Sequence, residues 1–190
     1  MTSPLNKYTI LVGIDIGLTG GIAFFDVESK ELLSIYPMPA NKIQTASGRN
    51  KGELDLSRLK YILEIPKVHG ETALVVMENI HAFPGQGSVA IATLMEQKGI
   101  IRGMCSGLGY DEQLVEPKTW QKYFSMIPPK DLKGSTGSKT KTLRKAWLKE
   151  KSLEIAREKF PDQSKLEKKD AHGLSDALLI GTYIIENSPS

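Results

Sequence analysis

Tyr8 to Val27 reads YTILVGIDIGLTGGIAFFDV. Its first seven residues form an unbroken apolar, β-branched run, the composition of a strand covered on both faces. The run ends on Asp15, and Gly17-Leu-Thr-Gly-Gly21 supplies a glycine-rich turn into a second apolar run, Ile22–Val27. Glu28-Ser-Lys30 closes a hairpin onto Leu32–Tyr36. The first third of the chain therefore predicts a β-meander with an acid at the mouth of its first strand.

Working outward, Leu56, Leu59, Ile62 and Leu63 fall at helical spacing within 54–68, with Asp55 near the start. Ala73–Met77 (ALVVM) predicts another buried strand, and it too ends in an acid, Glu78. Ser88–Leu108 predicts a helix, Gln113–Val115 a short strand, and Pro117–Phe124 a short helix. Leu143–Phe160 predicts a basic helix and Ala171–Ile185 a final apolar one. Two polar stretches, 41–52 and 127–142, read as mobile loops, the second rich in lysine. The order βββ-α-β-α-β-α-α predicts an α/β chain with a mixed sheet covered by helices. At 190 residues, 40% hydrophobic and 25% charged, it suits one domain spanning 1–190.

Several classes are set aside by composition. No stretch approaches the roughly eighteen apolar residues of a membrane span, so a soluble chain without a membrane role is expected. MTSPLNKYTI lacks the pattern of a signal peptide and reads as a mature start. The single cysteine, Cys105, excludes an internal disulfide and a cysteine-based zinc site. The expected compartment is reducing, a bacterial or phage-infected cytoplasm, with an organelle also compatible. The net charge of +3 conceals a division: Lys118–Lys169 holds fifteen Lys and Arg against six Asp and Glu, leaving the remainder acidic. Such asymmetry predicts a polyanionic partner for the second half.

Asp15 and Glu78, at the ends of two buried strands, would be held rigidly yet accessible. Side by side, such carboxylates repel and one retains a proton unless a cation intervenes. Oxygen ligation suits Mg²⁺, with Mn²⁺ able to substitute. In Lys168-Lys-Asp-Ala-His-Gly-Leu-Ser-Asp-Ala177, His172 and Asp176 stand four apart on one helical face, and Asp170 either caps that helix or joins the ligands. If this helix lies against the two strands, its polar residues complete a site for two ions, which would activate water against a phosphodiester.

At this point the sequence resembles the RuvC-like Holliday junction resolvases of the RNase H-like superfamily. The pieces that carry the resemblance are VGIDIGLTGGIAFF, VVMENIHAFPGQGS, TLMEQKGIIRGMCSGLGY, VEPKTWQKYF, KSLEIAREKFP and DAHGLSDALLIG, closest in pattern to the phage, chloroplast and mitochondrial branches. The resemblance implies an RNase H-like fold and a homodimer that nicks opposed strands of a four-way DNA junction with Mg²⁺ and no small-molecule cofactor. It matches Asp15, Glu78 and Asp176 to the first, second and last family acids. Bacterial members place the third ligand at the position of Gly173, whereas the chloroplast-like pattern places it at His172, which is preferred here over Asp170. Phe83 corresponds to the branch-point region, and Lys118 to a basic residue near the site. Lys139, Lys141, Arg144, Lys145 and Lys151 would contact phosphates. A dimer interface is expected within Ala90–Cys105. Two other readings stay open: an RNase H-like nuclease for other branched DNA or structured RNA, and a sugar-kinase or actin-like ATPase, whose first phosphate loop GIDIGLTGGIAFFDVESKEL also resembles.

Overall fold

The computed structural model describes residues 4–44, 48, 50–81, 88–132, 138–168 and 171–188, without the side chains of 50, 51, 88, 138 and 139. The meander is present as β1 (Ile10–Asp15), β2 (Gly21–Asp26) and β3 (Leu32–Pro37), paired antiparallel. On its other edge β1 pairs parallel with β6 (Ala73–Glu78), which pairs parallel with β7 (Asp111–Val115). The mixed five-stranded order is β3-β2-β1-β6-β7, so the strand ending in Asp15 lies at the centre.

Alternation along the central strands divides the interior into two layers. Leu11, Ala23, Phe25, Leu74 and Val76 face α4 (Pro117–Tyr123), α5 (Ser138–Lys159) and α6 (His172–Asn187), packing on Trp120, Leu153, Ala156, Ala177 and Leu178. Ile10, Val12, Ile14, Ile22, Val75 and Met77 face the other side, against Leu59, Ile62 and Leu63 of α1 (Leu56–Leu63) and Ile101 and Cys105 of α3 (Ser88–Gly107). Each fully buried aliphatic side chain contributes about 1.5–3 kcal/mol, so both faces of β1 and β6 are committed to core. Their only accessible residues are the terminal acids.

The structure departs from expectation in four places. The stretch 41–52, expected as a loop, contributes a second sheet: β4 (Ala40–Gln44) and β5 (Asn50–Leu54) pair antiparallel. Its polarity misled because a ribbon outside the main core needs cross-strand hydrogen bonds rather than an apolar face. Gly52 provides the anchor, since a Cβ there would come within 2.5 Å of Leu18. The helix expected over 54–68 is instead α1, capped by the Asp55 carboxylate accepting from the Arg58 amide, followed by α2 (Ile65–Val68). Pro66 explains the break, because it has no N–H to continue the first helix yet suits the first turn of a second. The basic helix α5 begins at Ser138, so residues 138–142 are helical rather than loop. The final helix starts at His172 with Ala171 at its cap; Asp170 lies outside the described residues. No described helix is long and apolar enough to cross a membrane.

Candidate active site

Asp15 and Glu78 are neighbours by construction. The parallel register of β1 and β6 runs through Ile14–Met77, so both chains deliver an acid at the same end of adjacent central strands. Bringing Asp176 to them requires α6 to lie unusually close to the sheet, and glycines permit it. A Cβ on Gly13 would stand 2.4 Å from the Ala177 carbonyl oxygen, and one on Gly21 2.7 Å from that of Gly173. On the helix side, a Cβ on Gly173 would stand 1.9 Å from the Thr19 carbonyl oxygen. The first turn of α6 therefore packs backbone against backbone on the β1–β2 turn. Of the glycines in that turn, Gly21 is the one whose Cβ position meets α6, while one on Gly20 would meet the turn's own Asp15 carbonyl.

The three acids feel one another. Burial pushes Asp15 well above the usual carboxylate range, reinforced by the charges of Asp176 and Glu78 and opposed by Lys149 and Lys145. Burial raises Glu78 to about 7; the Trp120 indole opposes this, and the Asp176 charge adds to it. Asp176 is raised to about 6, again chiefly by burial, against the Ser152 hydroxyl, His172 and Lys149. The indole Nε1–H of Trp120 donates to Glu78 Oε1 at 2.9 Å, and the Ser152 hydroxyl donates to Asp176 Oδ1. Just past Glu78, the Asn79 amide donates to Glu116 Oε1 at 2.7 Å, tying the exit of β6 to the start of α4.

His172 opens α6 on the same face as Asp176, and its positive form lowers the cost of ionising that acid. Its Nδ1 is the one buried side-chain nitrogen or oxygen without a hydrogen-bond partner among the described residues. Its Nε2 lies 3.8 Å from Glu150 Oε1. No three described His, Cys, Asp or Glu side chains are drawn together tightly enough to hold a metal ion as they stand. The chemistry of the set nevertheless fits a divalent cation: three half-buried, mutually repelling carboxylates and, among the described residues, an unpartnered imidazole nitrogen.

Among the basic residues expected at phosphates, Lys145 is near enough for its charge to act on Asp15. So is Lys149, which the sequence reading passed over. Both lie on α5 one turn apart, with Ser152 on the same stripe. That spacing, ending in a buried serine, was the available signal. Lys141 and Arg144 are exposed on the same helix. Lys151 pairs instead with Glu154 at 2.7 Å. Lys118 is exposed beside Glu116 at the start of α4. Phe83 and the Lys139 side chain lie outside the described residues. Trp120 was also missed as a site residue, since a lone tryptophan in a short helix reads as core.

No protein-family model matches the sequence, and no curated protein matches it. The structure of Thermus thermophilus RuvC in complex with Holliday junction substrate matches with a TM-score of 0.52 at 15% identity, covering 91% of this chain and 90% of that one. Weaker likenesses are to the fowlpox virus Holliday junction resolvase (TM-score 0.48, 14% identity, 93% and 98% covered) and the yeast mitochondrial Holliday junction resolvase Ydc2 (0.45, 16%, 94% and 78%). The fold expected from the sequence, an RNase H-like mixed sheet flanked by helices, is the fold observed.

Proposed function

We propose that this chain is a single-domain, metal-dependent endonuclease that resolves four-way DNA junctions. The observation that carries the reading is the convergence of Asp15, Glu78 and Asp176 at one end of the central strands, faced by Lys145 and Lys149. It occurs in the fold of a protein whose structure was determined with Holliday junction substrate. Asp15, Glu78, Asp176 and His172 would hold Mg²⁺, and two ions would supply an activated water and charge neutralisation at the scissile phosphate. The chain's own residues do the rest. The strand ends fix Asp15 and Glu78 in place, and α6 presents Asp176 through the glycine contacts. Lys145 and Lys149 offset negative charge without contributing a ligand, while the exposed Lys141 and Arg144 extend the basic surface along α5 toward a duplex arm.

A two-fold substrate cut at two equivalent positions calls for two equivalent sites, hence a homodimer. The first turns of α3 support this, because Val89 is 78% exposed and Ala90 and Ala92 are also exposed, apolar side chains that no described residue covers. The test is a panel of labelled four-way junction, flap, replication fork, linear duplex and RNA hairpin, incubated with Mg²⁺. Paired symmetric nicks in the junction are expected. Preferential cutting of flap or RNA would shift the reading to another RNase H-like nuclease, and no cutting of any substrate would refute it.

A further inference from the structure

Two of the three acids are gripped by neutral donors from outside the sheet, and neither donor belongs to the acid cluster. Trp120, on α4, is 1% exposed and gives its indole N–H to Glu78 Oε1 at 2.9 Å. Ser152, on α5, is fully buried and gives its hydroxyl to Asp176 Oδ1, and its own Oγ lies 3.0 Å from the Ser175 Oγ. Ser175 in turn donates to the His172 carbonyl at 2.8 Å, so the serine pair spans the first turn of α6 between the two polar residues it presents.

Ser152 is distinguished by where its hydrogen goes. A helical hydroxyl ordinarily bonds back to the carbonyl four residues earlier. Thr93, Thr182 and Ser188 do this, to Val89, Leu178 and Ile184. Ser152 instead crosses from α5 to α6, at a fully buried position where alanine would fill nearly the same space. Trp120 likewise directs its one polar atom at a carboxylate rather than a backbone carbonyl.

Resting on the metal-nuclease reading above, we infer that Trp120 and Ser152 are positioning residues: each occupies one oxygen of an outer carboxylate and so leaves the other aimed at the metal. Partners of this kind orient ligands they do not replace, and their loss typically costs about 10–100-fold in metal affinity or activity. They act through Glu78 and Asp176 and touch neither metal nor DNA.

The experiment uses the full-length protein stripped of metal. Mg²⁺ affinity is measured by calorimetry for wild type, Ser152→Ala and Trp120→Phe, with kcat and KM for a four-way junction and a thermal melt alongside. The expected result is Mg²⁺ binding weakened about tenfold or more in each variant, with kcat falling at fixed Mg²⁺ and junction KM unchanged. In a Trp147→Phe background Trp120 is the sole tryptophan, and its emission should change as Mg²⁺ is titrated. Unaltered Mg²⁺ affinity and kcat in a folded Ser152→Ala would overturn the inference, as would a loss confined to KM. Should Trp120→Phe fail to fold, Ser152→Ala alone decides. A wild type that neither binds Mg²⁺ nor cuts a junction refutes the nuclease reading itself; a competent wild type with indifferent variants refutes only the positioning roles.

Discussion

The buried acids make a quantitative demand on the metal-free protein: raising the pH should destabilise it. An acid whose pKa is raised by folding holds its proton more tightly in the native state. Its contribution is therefore complete below the unfolded pKa and is lost as pH climbs through the folded one. Glu78 moves from 4.5 to about 7, which corresponds to about 3 kcal/mol. Asp176 moves from 3.8 to about 6, again about 3 kcal/mol. The two charges interact, so the figures overlap rather than add, and Asp15 moves in the same direction. The expectation is a loss of at least about 3 kcal/mol between pH 4.5 and 7.5, against a total stability of about 5–15 kcal/mol for a typical domain. The assay is urea denaturation in EDTA across that range, repeated with Mg²⁺. Excess Mg²⁺ should restore about 3 kcal/mol at pH 7.5 if present at about a hundred times its dissociation constant. Stability that stays flat or rises from pH 4.5 to 7.5 in EDTA would refute the claim that these half-buried carboxylates repel one another.

Three further outcomes follow from the same geometry. Asp15→Asn removes one of three mutually repelling charges, so cleavage should vanish while junction binding by gel shift persists and stability in EDTA at pH 7.5 rises. Gly173→Ala places a Cβ 1.9 Å from the Thr19 oxygen and 2.5 Å from Gly20 Cα, where relief requires α6 to retreat by about 1.5 Å. Overpacking of this sort costs about 1–3 kcal/mol in a urea melt, and misplacement by about an ångström lowers turnover about a hundredfold. His172→Ala should reduce Mg²⁺-dependent cleavage far more than Asp170→Ala, and the reverse ranking would assign the ligand role to Asp170.

Much of the site was legible because strand periodicity and chemistry coincide there. A buried strand has no use for a terminal acid, so Asp15 and Glu78 stood out as soon as the apolar runs before them were recognised. Asp176 needed only the helical spacing from His172. What stayed hidden belongs to packing between elements distant in sequence. Ser152 and Trp120 look like any serine and tryptophan until α5 and α4 are laid beside the sheet. Lys149 could not be separated from its basic neighbours until Lys145 fixed which stripe of α5 faces inward. The hairpin β4–β5 was missed for a different reason, since backbone pairing supports it without the apolar alternation that marks a strand.

The glycines tie the architecture to the one ambiguous ligand. In the sequence, those at 17–21 read as turn formers, and Gly173 read as a departure from the position where bacterial resolvases carry an acid. The structure gives both one cause. Asp176 can approach Asp15 only because α6 lies in backbone contact with the β1–β2 turn, and that contact leaves no volume for a side chain at 173. A donor at 173 and this closeness of approach exclude each other. Under the proposed metal-nuclease reading, the candidates on this segment are 172, which shares a helical face with 176, and 170. His172 already sits in the first position with a buried nitrogen that finds no hydrogen-bond partner among the described residues.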